Sequence, residues 1–174
     1  NDTVLILANG VAGNLPVRKG TREEKSLERV IHRVMKELAL KLVEDAEGGT
    51  KVAEIRVEGA RTSDGAKKIA FSVANSTLVK TAFFGEDPNL GRIMVAIGYA
   101  GEPVRLERIN VYLDDVRVVR GGIVSPSAER KAAHVMRHPT FRVTIKLGQG
   151  NRSASVWTSD LSYQYVRINS AYRT

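Results

Sequence analysis

The 174-residue chain contains no cysteine. Disulfides, thiolate nucleophiles and cysteine-ligated zinc are excluded together, and a reducing compartment fits. Aromatic residues make up only 6%, and no basic patch interleaves them to offer a platform for stacked bases. Helix-turn-helix, zinc-finger and RNP-like signatures are missing. No Gly/Ser-rich or Pro-rich stretch is long enough to be a linker, no apolar run approaches the ~20 residues that span a bilayer, and no signal-peptide pattern opens the chain. Gly-x-Gly-x-x-Gly, the P-loop, Gly-x-Ser-x-Gly and His-Glu-x-x-His do not occur, so the usual signals of dinucleotide, NTP, α/β-hydrolase and zincin chemistry are lacking. The three histidines, His32, His134 and His138, do not have metal-site spacing. His134 and His138 stand four apart, but Pro139 disfavours the helical state of His138, which points to surface or capping roles.

What is present suits one compact domain. With 43% hydrophobic residues, a chain of this length buries roughly 70% of the surface its unfolded form exposes. The net charge of +8 and pI near 9.9 raise the question of nucleic acid, yet the basic residues are spread from Arg18 to Arg173 rather than gathered into a patch. A non-catalytic basic nucleic-acid-binding module is therefore the weaker reading. The chain opens on Asn1-Asp2-Thr3 without an initiator methionine, which implies either upstream cleavage or a portion of a longer product.

The organising stretch runs from Leu78 to Arg92. A β-prone run, Thr81 to Phe84, breaks at Gly85, turns through Glu86-Asp87-Pro88-Asn89, and restarts as the apolar segment Ile93 to Ala100, predicting strand, loop and helix. Two carboxylates, an amide and an arginine concentrated between buried elements suit a binding loop on a rigid frame; the plainer alternative is a solvated turn. Upstream, Val4 to Ala8 is a continuous apolar run and predicts a central strand buried on both faces. Thr21-Arg22-Glu23-Glu24 has the capping-box pattern and starts a long helix, on which Leu27, Val30, Ile31, Val34, Met35, Leu38 and Leu42 trace a face predicted to be core.

That helix ends in Val43-Glu44-Asp45-Ala46-Glu47-Gly48-Gly49-Thr50-Lys51, where a local rule is broken. Carboxylates beside the unpaired carbonyls of a helix C-terminus are disfavoured by a few tenths of a kcal/mol each. Either Lys41, Lys51 or a distant arginine pairs with them, or they form a site for a substrate ammonium, with Gly48 and Gly49 letting backbone pass close to it.

Ala53, Ile55 and Val57 alternate with charged residues as a half-buried strand. Thr62 or Ser63 caps a second helix through Val73. The last third is strand-rich: a hairpin across Asp114-Asp115, a short helix after Ser125-Pro126, and strands Thr140 to Leu147 and Ser153 to Thr158 predicted to pair antiparallel around Gly148-Gln149-Gly150-Asn151. A docked tail helix includes Leu161, Tyr165 and Ile168, with Asp160 as its cap. The order is α/β, with residues 1–100 as an αβ lobe contributing to the active site and 101–174 as a strand-rich C-terminal lobe.

Three blocks are more specific than any of these motifs. Asn1 to Gly10, Leu78 to Gly101 and Thr158 to Thr174, with Glu44 to Lys51 as a fourth, resemble the ornithine acetyltransferase (glutamate N-acetyltransferase) family of arginine biosynthesis, in family order and over nearly the whole chain. Position 90 departs from the pattern, which commonly has tryptophan where this chain has Leu90. The resemblance implies a mixed α/β fold related to N-terminal-nucleophile hydrolases, with mostly antiparallel sheets and packed helices. It implies a cytoplasmic enzyme cut before a threonine into α and β chains that stay together as α2β2. The new N-terminal threonine takes acetyl from N2-acetylornithine and passes it to glutamate. No cofactor is implied, though some members use acetyl-CoA as a substrate, and neither nucleic acid nor membrane is a partner.

On this resemblance the chain is the C-terminal part of the β chain. It lacks the nucleophile, Thr3 is not its replacement, and the segment alone is expected to be inactive. Substrate-binding positions carry over onto Glu47, Asn169 and Thr174. The rival within the fold is a related autoprocessed aminopeptidase or amidase, which has no need of an acidic ornithine site.

Overall fold

The computed structural model describes residues 3–171, and the chain divides into two units between residues 39 and 40. In the first, α1 begins at Arg22 and continues across the division to Glu44. The capping pattern forms as read: the Thr21 hydroxyl accepts from the Glu24 N–H at 3.2 Å, and the Glu24 carboxylate accepts from the Gly20 N–H at 2.5 Å. The burial predicted for α1 does not. No residue of α1 is buried, and the apolar face read as core is exposed, with Leu27 at 46% and Leu38 at 56%. The run Val4 to Ala8 is likewise not a strand, and Leu7 is 84% exposed. A strand exists only where a neighbour supplies its ladder bonds, and none of the described residues pairs with 4–8. Periodicity identifies which face is apolar, not what covers it.

The second unit is built on β1 (Val52–Ala60), α2 (Ser63–Ala74), α3 (Thr77–Phe84), α4 (Leu90–Gly98), β2 (Asn110–Leu113), β3 (Val116–Arg120), β4 (Ile123–Val124), α5 (Glu129–Met136), β5 (Thr140–Lys146), β6 (Arg152–Ser159) and α6 (Tyr163–Ala171). Thr62 caps α2 by accepting the Gly65 N–H at 3.0 Å. The run Thr81 to Phe84, predicted as strand, is the second half of helix α3. Ser76 caps that helix, and Val79, Ala82 and Phe83 fall on one buried face at i, i+3 and i+4. Packing of that face outweighs the β preference of Thr81 and Phe84. Asn89 then caps α4 through the Arg92 N–H, and Leu90 lies in the core at 6% exposure.

The six strands form one sheet in the order β4-β3-β2-β5-β1-β6, so residues from both sides of position 100 share it. The hairpin predicted across Asp114-Asp115 is β2 and β3. The pairing predicted between the last two strands is corrected: β5 and β6 run antiparallel but do not touch, because β1 lies between them, parallel to β5 and antiparallel to β6. Ala53, Ile55 and Val57 of β1 are completely buried, and a centre of that apolarity gains more between two strands than at an edge. Among the described residues only the β1–β5 pair is parallel; the fold is mixed α/β with mostly antiparallel pairing, as expected.

Helices α2 and α5 cover one face of the sheet and share its core. The opposite face is polar and its charges are largely matched. Arg142 meets Glu54 at 2.6 Å, Arg56 meets Glu58 at 2.7 Å, and the Lys146 ammonium lies 5.2 Å from the Tyr112 ring centre. Burial pushes the Glu54 carboxyl up, but hydrogen bonds from Arg142 and Ser155 and the charges of Arg142 and Arg56 together bring it below its ordinary value.

Candidate active site

The acidic stretch after α1 is held by the segment that links β6 to α6. Gly49 closes a turn by donating its N–H to the Ala46 carbonyl at 2.8 Å. Gly48 stands at φ +68°, and a Cβ there would lie 2.6 Å from the Tyr165 nitrogen. Only glycine satisfies both the left-handed backbone and the close approach. The Gly48 carbonyl accepts from the Ser162 hydroxyl at 2.6 Å. Two residues on, Asp160 Oδ1 accepts from the N–H groups of Thr50 (2.7 Å) and Lys51 (3.0 Å), while Oδ2 accepts from the Thr50 hydroxyl (2.6 Å). Asp160 and Ser162 are buried, at 3% and 5% exposure. Bonds to a buried carboxylate are among the stronger ones a fold makes.

The helix cap predicted at Asp160 is therefore corrected. Ser162 takes that role, its oxygen accepting from the Gln164 and Tyr165 N–H groups at 3.1 and 3.2 Å. A hydroxyl can donate to Gly48 and still accept from the helix, whereas an ionised carboxylate only accepts.

This arrangement brings two of the three sequence-predicted site residues together. The Asn169 amide nitrogen donates to Glu47 Oε2 at 3.0 Å and to the Tyr165 carbonyl at 2.9 Å. Both side chains are exposed, and among the described residues no lysine or arginine pairs with Glu47. Of the cationic partners weighed for the acidic stretch, Lys51 is engaged elsewhere: it is buried and bonds Glu86 at 2.7 Å. Thr174 lies outside the described residues.

Sequence reasoning missed three supports of the site. By sequence Asp160 reads only as a helix cap and Ser162 carries no reading of its own, and nothing in the string says that both reach back more than 100 positions to the acidic stretch. The Lys51–Glu86 pair ties the acidic stretch to the loop between α3 and α4, with Arg137 4.0 Å from the same carboxylate. Lys80 on α3 donates to the Thr158 hydroxyl at 3.2 Å. Burial pushes the Lys80 ammonium below its ordinary value, with the Asp160 charge acting against that shift. Beside α6, Thr81, Phe84, Leu161, Ser162, Tyr163 and Val166 line a mainly apolar cleft, with Phe84 and Tyr163 ring centres 5.6 Å apart. No metal-binding cluster of His, Asp and Glu occurs among the described residues.

Comparison with known proteins bears on what such a site serves. The ArgJ family model matches residues 1–174. The chain belongs to the ArgJ family. Among its relatives, the arginine biosynthesis bifunctional protein ArgJ of Geobacter sulfurreducens is 47% identical over 100% of this chain and 44% of its own length. The protein of the same name from Streptococcus mutans is 43% identical over the same shares. The crystal structure of arginine biosynthesis bifunctional protein ArgJ from Bacillus halodurans superposes with a TM-score of 0.92 at 32% identity, covering 99% of this chain and 81% of that one. The chain thus has the fold of ArgJ, an N-terminal-nucleophile-hydrolase-type architecture. It spans less than half the length of those curated relatives. No helix among the described residues is long and apolar enough to cross a membrane.

Proposed function

We propose that this ArgJ-family chain is the C-terminal part of the β chain of an ornithine acetyltransferase, and that it supplies substrate-binding groups to an active site completed by the rest of the protein. The carrying observation is the Glu47–Asn169 pair: a carboxylate without a cationic partner among the described residues, 3.0 Å from an amide. A carboxylate in that state suits the side-chain ammonium of ornithine. The Asn169 carbonyl oxygen takes no hydrogen bond among the described residues, and it can accept from an amino or amide N–H of the same substrate. Thr174 is assigned to this pocket through the family resemblance.

The chemistry proceeds on a threonine outside these 174 residues. Its hydroxyl attacks the acetyl carbonyl of N2-acetylornithine, the C–N bond breaks, and the threonine proton leaves with the α-amine of ornithine. The α-amine of glutamate then attacks the acetyl ester, forming N-acetylglutamate and returning a proton to the threonine oxygen. The residues described here bind and orient; they do not touch the breaking bond. The α chain from the same precursor is the partner, in an α2β2 assembly, acetyl-CoA is an alternative acetyl donor rather than a bound cofactor, and the protein works in the cytoplasm. The segment alone is inactive on this reading.

An acetyl-transfer assay on the full-length, processed protein tests it. Ornithine release that depends on glutamate, with a transient acetylated protein, is the expected result. Glu47→Gln removes one charge-assisted contact and is expected to raise KM for N2-acetylornithine by about 10–100-fold. An aminopeptidase or amidase would release its amine at the same rate without glutamate and would be indifferent to that substitution.

A further inference from the structure

Glu47 and Asn169 reach each other from two segments 122 residues apart in sequence, and both side chains are exposed. An exposed pair does not hold its own geometry, since each partner keeps rotamer freedom that a single bond scarcely repays. The order must come from beneath. Directly beside Glu47, the Gly48 carbonyl is bound by the buried Ser162 hydroxyl, whose oxygen also receives the first N–H groups of α6, the helix that carries Asn169 one and a half turns further on. One hydroxyl joins the backbone under the carboxylate to the N-terminus of the helix under the amide. Asp160 fixes the other side of the same loop at Thr50 and Lys51.

We propose that Ser162 is a positioning residue for substrate binding, setting the separation of Glu47 and Asn169 by tying the Gly48 carbonyl to the start of α6. The proposal rests on the assignment of Glu47 to the substrate ammonium. Loss of the Ser162 hydroxyl acts on binding and not on the acetyl chemistry, because that hydroxyl is fully occupied by the Gly48 carbonyl and the Gln164 and Tyr165 N–H groups. Threonine in its place keeps both the donor and the acceptor.

The test is steady-state kinetics of the full-length, processed enzyme with N2-acetylornithine as donor, on Ser162→Ala, Ser162→Thr, Glu47→Gln and the Ser162→Ala/Glu47→Gln double variant. Loss of the hydroxyl is expected to raise KM about tenfold with kcat within twofold, Ser162→Thr to restore it, and the double variant to resemble Glu47→Gln alone. Gly48→Ala approaches the same contact from the loop side, pressing a Cβ onto the Tyr165 nitrogen while leaving Ser162 intact; the same KM rise is expected. This second variant decides the matter where Ser162→Ala does not fold. If Glu47→Gln raises KM while Ser162→Ala and Gly48→Ala do not, the positioning role is overturned and the substrate assignment stands. If the Ser162 and Glu47 effects multiply, Ser162 acts on something other than Glu47 and the proposal is wrong. If Glu47→Gln leaves KM unchanged, the substrate assignment itself fails and the positioning proposal goes with it.

Discussion

At Glu86 the backbone adopts φ +54°, a left-handed conformation that costs a non-glycine residue roughly 1 kcal/mol or more. The side chain shows what holds it there: its carboxylate receives the buried Lys51 ammonium at 2.7 Å. That hydrogen bond is the largest effect; burial, the next, pushes the other way, and the charges of Lys51 and Arg137 add to the bond to leave the Glu86 carboxyl below its ordinary 4.5. A carboxyl with a depressed pKa binds protons less readily folded than unfolded, so its stabilisation is present above the unfolded value and is lost as pH falls through the folded one. Glu86→Gln should therefore flatten the acid side of the stability profile. Melting temperatures taken from about pH 5 down to about pH 3 are expected to fall less steeply for the variant than for the parent. Parallel curves would mean that the pair carries no pH-dependent stability. Comparison with the parent is essential, because Glu54 is shifted in the same direction and contributes equally to both curves.

Among the elements, the insertion of β1 between β5 and β6 depends on one crossing. The chain leaving β5 passes over the end of β1 with the Leu147 and Gln149 N–H groups bonded to the Glu58 and Gly59 carbonyls. There Gly150 is pressed against Ala60, so that a Cβ would come within 3.0 Å of the Arg61 Cα as well. Backbone on both sides leaves nothing flexible to yield. Gly150→Ala is expected to destabilise by about 1–3 kcal/mol in a urea titration, while Gly98→Ala, which meets nothing within 4 Å at the end of α4, should be neutral or stabilising by up to about 1 kcal/mol. Equal effects at the two sites would deny that the crossing is tightly packed.

This crossing also marks where the sequence stopped being legible. Alternation identified β1, β5 and β6 and the buried face of β1, capping patterns located α1 and α2, and the turn through Glu86 to Asn89 located the start of α4. Strand order is a long-range choice that a short Gly-rich connection does not reveal, since five residues can close a hairpin or step across one intervening strand. The site divided in the same way. Glu47 and Gly48 stood out as part of an acidic, glycine-flanked helix end, whereas Asn169 was a candidate only through the family resemblance. Asp160 and Ser162, the groups that join those two segments, carry no local signal of a partner 110 positions away.

For the molecule as a whole, α1 poses the main physical question. Seven large apolar side chains from Leu27 to Leu42 line a helix of about 35 Å and remain 36–56% exposed. Completing their burial is worth about 1 kcal/mol for each, and so long an apolar stripe marks an interaction surface. The relatives are more than twice as long as this chain, and under the proposed α2β2 assembly the α chain is the occupant to test. Val34→Glu with Leu38→Glu places two charges in the middle of the stripe and conserves helix-forming character. In the full-length protein, this double variant is expected to cost several kcal/mol of association, roughly a hundredfold or more in the α-to-β dissociation constant. Sedimentation of the processed protein over a dilution series reads that change directly. If α and β remain together as in the parent, the stripe faces something else. A shift from α2β2 to αβ without loss of α would identify that partner as a second copy of the β chain.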